Sequence, residues 1–105
     1  MHIEVNTDNS TEGSEALTSH VKGLVQHELV HFEEHITRVE VHLSDAGTGT
    51  TGQEEKHCTI EARLKGQQPT AAKDAAVTLE LATKGAAAKL KNVLESTLGK
   101  LAERR

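Results

Sequence analysis

Met1-His2-Ile3-Glu4-Val5-Asn6 alternates apolar and polar residues, the period of a strand with one buried face. The polar run from Thr7 to Gly13 predicts a loop, and Ser14 or Thr11 is placed to cap the helix after it. From Glu15 onward, Leu17, Val21, Leu24, Val25, Leu29 and Phe32 return at steps of three and four. That spacing predicts a helix of about five turns with one apolar stripe. The period then drops to two: Val39, Val41 and Leu43 point one way, Arg38, Glu40 and His42 the other. The Gly/Thr-rich run AGTGTTGQ predicts a flexible loop over about 46–54. Cys58, Ile60, Ala62 and Leu64 alternate with Thr59, Glu61, Arg63 and Lys65 as a further strand. KGQQP reads as a hairpin turn. A weaker strand, rich in alanine, is expected from Thr70 to Val77.

The rest of the chain carries a helical period. Leu79, Ala82, Ala86, Leu90, Val93, Leu94, Thr97 and Leu101 share one side of the wheel, and Gly85 and Gly99 weaken the helix. The predicted class is α+β, in the order β-α-β-β-β-α. A right-handed crossover pairs the first two strands in parallel, and hairpins complete a four-stranded mixed sheet. Both helices then cover one sheet face. With 105 residues and no internal repeat, the chain is expected to be a single domain over 1–105.

Composition narrows the function. Apolar residues make up 35% and Phe32 is the only aromatic, so Ala, Val and Leu must fill the core. The net charge is −4 with seven histidines counted neutral, so any nucleic-acid contact has to come from a local basic patch. A single cysteine, Cys58, excludes an internal disulfide and suits a reducing compartment. No apolar run approaches the roughly 18 residues of a spanning helix. The first residues have neither the basic nor the apolar stretch of a secretory signal. A cytoplasmic protein away from the membrane is the expectation.

One short motif suggests an enzyme. His27-Glu28-Leu29-Val30-His31 fits H-E-x-x-H, in which a helix presents two imidazoles to zinc with a glutamate as base. A catalytic zinc also needs a third ligand. Glu34 and Thr37 stand where the extended motif has Gly and His, and no other acidic residue is singled out by spacing. A zinc hydrolase on His27, Glu28 and His31 is therefore the alternative, and a non-enzymatic protein without metal, cofactor or small-molecule substrate the preferred reading.

His20, His27, His31 and His35 fall on the outer face of the first helix, and His2, His42 and His57 on the open face of the sheet. Solvated side chains account for them, with pH-tuned affinity for an anion as the sharper option. The glycines of AGTGTTG lie between strands, so no phosphate loop is formed. The last helix carries Lys84 and Lys91 on one edge of its apolar stripe and Lys89 and Lys100 on the other. Arg104 and Arg105 stand at its end. These cations form either a solvated flank or a ridge that contacts phosphates. With almost no aromatics, stacking on single-stranded bases is disfavoured, and the backbone of folded RNA is the better partner.

Several stretches, in order, resemble the ribosome hibernation-promoting factors and ribosome-associated translation inhibitors, also called sigma-54 modulation proteins. They are Met1-His2-Ile3-Glu4-Val5, Glu15-Ala16-Leu17, His31-Phe32, His35-Ile36, Val39-Glu40-Val41-His42-Leu43, Cys58 to Leu64 and Ala87-Ala88-Lys89-Leu90. The resemblance implies a fold like double-stranded-RNA-binding domains. It also implies binding to rRNA in the decoding channel of the small ribosomal subunit, silencing ribosomes in stationary phase or stress. It places Lys22 at a basic position of the first helix and Lys89 at the lysine of an Asp-Lys-Leu step, where Ala88 replaces the Asp. Asn92, Glu95 and Ser96 stand where that family is more basic. The expected RNA contacts are therefore Lys22, Lys84, Lys89, Lys91, Lys100, Arg104 and Arg105. A protein-interaction module of the same fold, without ribosome binding, is the remaining alternative.

Overall fold

A computed structural model describes residues 1–8, 14–48 and 54–103. Its elements are β1 (His2–Thr7), α1 (Glu15–Leu29), a 3-10 segment (Val30–His35), β2 (Ile36–Thr48), β3 (Glu54–Leu64), β4 (Thr70–Ala76) and α2 (Leu79–Glu103). The strands form one sheet in the order β1-β2-β3-β4. β1 lies parallel to β2, with Ile3 beside Val39 and Val5 beside Val41. The β2–β3 and β3–β4 pairs are antiparallel. This is the expected α+β arrangement.

Alternation along the strands decides which face is buried. Ile3, Val39, Val41, Leu43, Cys58, Ile60, Ala62 and Leu64 point to one side and join the core. Val21, Val25, Leu29 and Phe32 enter it from the first helical segment, and Ala82, Ala86, Ala87, Leu90 and Leu94 from α2. α1 packs on β1 and α2, and α2 spans β3 and β4. Cys58 lies in this interior, where burial pushes its thiol up to about 11 and makes it a poor nucleophile.

Three expectations need correction. The first helix is not α-helical throughout: after Leu29 it tightens into the 3-10 segment. Three residues per turn keep Phe32 directly beneath Leu29, so the apolar stripe stays on the core while the chain tightens before β2. On α2, Val93 is 37% exposed whereas Thr83 and Ala87 are buried. The Thr83 hydroxyl donates to the Leu79 carbonyl at 2.7 Å, so its polar group is satisfied within the helix. Both ends of the span expected as a loop, about 46–54, belong to strands. Gly47 and Thr48 pair with Glu55 and Glu54, and a register shift beside Asp45 absorbs the irregularity. Positions 49–53 lie outside the described residues, as does Thr11. The cap of α1 is Ser14, whose Oγ accepts from the Leu17 amide at 3.0 Å.

Among the described residues, no helix packs on the other sheet face. There Glu4, Glu40 and Glu61 stand directly opposite one another on three neighbouring strands, and such like-charge neighbours repel. Arg38 relieves them, pairing with Glu4 and donating to Glu40 at 3.2 Å, while Arg63 lies 3.6 Å from Glu61. Arg38→Ala should cost about 1 kcal/mol, more at low salt than at high salt. A loss independent of salt in urea titrations would assign Arg38 a packing role instead.

Candidate nucleic-acid interface

Both helices lie on the same side of the sheet and carry the cations singled out by the sequence. Lys22 sits on the exposed surface of α1. Lys84, Lys89, Lys91 and Lys100 lie along α2, where Lys91 is half-buried and the other three are exposed. Arg104 and Arg105 lie outside the described residues.

Their electrostatic situations differ. Lys84 Nζ lies 3.8 Å from Glu80 Oε1, one turn before it on the helix. The same oxygen meets His20 Nε2 at 3.0 Å, tying α1 to α2. The His20 hydrogen bond, with the charge of Lys84 as the smaller cause, holds the Glu80 carboxyl below its ordinary range. Lys89 donates to Asp74 Oδ1 at 3.1 Å and to the Lys73 carbonyl at 3.3 Å, so it is bound to strand β4. Among the described residues, no carboxylate pairs with Lys22, Lys91 or Lys100. These three are the candidates whose charge no described carboxylate meets within ion-pair distance.

Asp74 takes a position that hydropathy alone does not predict. It occupies the helix-facing side of β4, between Ala72 and Ala76 in the alternation. Its carboxylate rests against Gly85, where an added Cβ would overlap it. The Lys89 hydrogen bond, reinforced by the Ala75 amide, holds the Asp74 carboxyl below its ordinary range. The one signal of it in the sequence is an acidic residue alternating with Ala72 and Ala76 on the covered side of the strand.

Among the described residues, the H-E-x-x-H side chains have no third ligand placed beside them. His27 lies in the last turn of α1 while His31 lies inside the 3-10 segment, and both are exposed. Tighter winding across that junction removes the alignment that i and i+4 have on an α-helix. Among the described residues, no three His, Cys, Asp or Glu side chains are placed to share an ion. The histidines on the helical side point outward. On the open sheet face, His57 Nε2 lies 3.3 Å from Glu55 Oε1, close enough for an ion pair but not aligned for a hydrogen bond.

A four-stranded sheet with one parallel and two antiparallel pairs, backed by two helices, has counterparts among known proteins. Residues 3–102 match the family described as sigma 54 modulation protein / S30EA ribosomal protein. The chain belongs to that family. Among solved structures, it is similar to a ribosomal subunit interface protein from Coxiella burnetii, with a TM-score of 0.73 and 16% identity. That match covers 94% of this chain and 99% of the other. It is also similar to the N-terminal domain of Protein Y from Thermus thermophilus, with a TM-score of 0.66 and 16% identity, covering 92% and 99%. At this identity the two structures speak to the fold. No curated protein matches the chain by sequence. Among the described residues, no helix is long and apolar enough to cross a membrane.

Proposed function

We propose that this sigma-54 modulation/S30EA family protein is a non-enzymatic factor that binds the small ribosomal subunit and occludes its decoding channel, restraining translation under stress or in stationary phase. Family membership over residues 3–102 carries this reading. The charge distribution supports it and indicates an orientation. The open sheet face presents a row of carboxylates that would repel phosphates. The helical side offers Lys22, Lys91 and Lys100, without opposing acids among the described residues. Those three lysines are assigned to rRNA phosphates. The helical side and the β4 edge beside it would then face the RNA, and the carboxylate row on β1, β2 and β3 would face away.

The test is sedimentation. The protein should travel with 30S or 70S particles from stationary-phase cells in low salt, and its association should weaken steeply as salt rises, because phosphate contacts release counterions. Changing Lys22, Lys91 and Lys100 together to Ala should reduce association by an order of magnitude or more without altering the melting temperature. Protein found only at the top of a low-salt gradient would overturn the reading. That result would favour a domain that kept the fold and lost the ribosome.

A further inference from the structure

At the free edge of the sheet, His57, Lys73, Asp74, Ala75 and Lys89 surround a cleft of about 260 Å³. Lys73 and His57 project from the open face of the sheet, and Lys89 reaches over from α2, so the cleft wraps around the edge strand. Lys73 is exposed, and among the described residues no carboxylate pairs with it. Lys89 is 59% exposed despite its bond to Asp74, so its ammonium can swing on a flexible stem without unpacking the core. Among the lining residues two ammoniums outnumber one carboxylate, and the His57 ring, whose Nε2 lies 3.3 Å from Glu55 Oε1, forms a wall of the cleft.

We propose that this cleft is a phosphodiester-binding site for the RNA backbone, gated by Asp74, which holds Lys89 in the free protein and yields it to an incoming phosphate. The inference rests on the RNA-binding reading above and adds a contact and its regulation. Lys89 has one strong charged partner at a time. A phosphate placed between Lys73 and Lys89 meets two cations, whereas Asp74 meets one. Exchange therefore favours the phosphate, but part of the binding energy is spent breaking the Asp74 pair. Asp74 in this way moderates affinity, and the chain holds a basic residue in reserve that counts fully only on a dense phosphate backbone. Gly85 makes the arrangement possible, since without a Cβ it lets the carboxylate lie against α2 within reach of Lys89.

The experiment compares the wild type, Asp74→Asn and Lys73→Gln in titrations with a short double-stranded RNA and with isolated 30S subunits. Thermal melts establish that each variant is folded. Asp74→Asn should bind roughly three- to ten-fold more tightly, with a salt dependence steeper by about one ion, because Lys89 no longer gives up a partner. Lys73→Gln should bind more weakly by a similar factor, with a slope shallower by about one. Inorganic phosphate alone should perturb the NMR signals of Ala75 and the Lys89 side chain only at high concentration, which separates a backbone site from one for free phosphate. Wild-type binding unchanged in both variants removes the cleft and leaves the ribosomal reading standing. Absence of wild-type binding to either RNA or 30S removes both. If Asp74→Asn does not fold, Lys73→Gln on the exposed side of the strand still decides the matter.

Discussion

Leu90→Ala should cost about 3–4 kcal/mol of folding stability, while Val93→Ala should cost well under 1 kcal/mol. A wheel drawn from the sequence places both on the apolar side of the last helix. In the fold, Leu90 is fully buried and Val93 is 37% exposed. Truncating Leu90 removes its transfer free energy and leaves a cavity among side chains that are themselves small, such as Ala82, Ala86 and Ala87. With Phe32 as the only aromatic, few large neighbours are available to collapse into the space. A domain of this size has roughly 5–15 kcal/mol in total, so the Leu90 variant should show a much lower urea midpoint at unchanged slope. Equal losses at the two positions would mean that α2 is rotated from the orientation described.

The second large effect concerns glycine in α2. Replacing an exposed helical glycine with alanine normally gains about 0.5–1 kcal/mol, because the unfolded chain loses freedom. Gly99 has nothing within 4 Å of an added Cβ, so Gly99→Ala should realise this gain. Gly85→Ala should instead destabilise by about 1 kcal/mol and Gly85→Val by about 2–3 kcal/mol, because the new Cβ occupies the place of the Asp74 carboxylate. The side chain must rotate away and release Lys89. In an Asp74→Ala background the sign should reverse, and Gly85→Ala should become stabilising, a coupling that a double-mutant cycle measures directly. Additive effects would show that the contact is not the cause. The pH dependence has a definite sign. Lys89 holds the Asp74 carboxyl below its ordinary value, so the pair contributes fully at neutral pH and fades as acid protonates Asp74.

The range of each interaction determines how much of the fold is legible in the sequence. Strands β1, β2 and β3 are readable because alternation is local and each has one buried face. β4 is readable despite its alanines because its turn and register depend on β3. The change to 3-10 winding after Leu29 is not, since Leu29 and Phe32 are three apart and satisfy either helical period. Thr83 escapes the apolar pattern because its hydroxyl marks it as polar, while the bond to the Leu79 carbonyl that makes burial tolerable is visible only in the folded helix. The lysines divide in the same way. The Glu80–Lys84 spacing can be read directly as an i, i+4 pair. The Asp74–Lys89 pair depends on where α2 crosses β4, which no periodicity along the chain encodes.

The row formed by Glu4, Glu40 and Glu61 has an effect outside the single molecule. A four-stranded sheet with no described helix on one face offers a broad surface on which a second copy could stack. Two such surfaces brought face to face would oppose carboxylate to carboxylate across a thin layer of water, and Arg38 is already committed to its own strands. Concentrated solutions should therefore remain dispersed, with the row acting as a colloidal spacer. The same charges that strain the ladder from within keep neighbouring molecules apart.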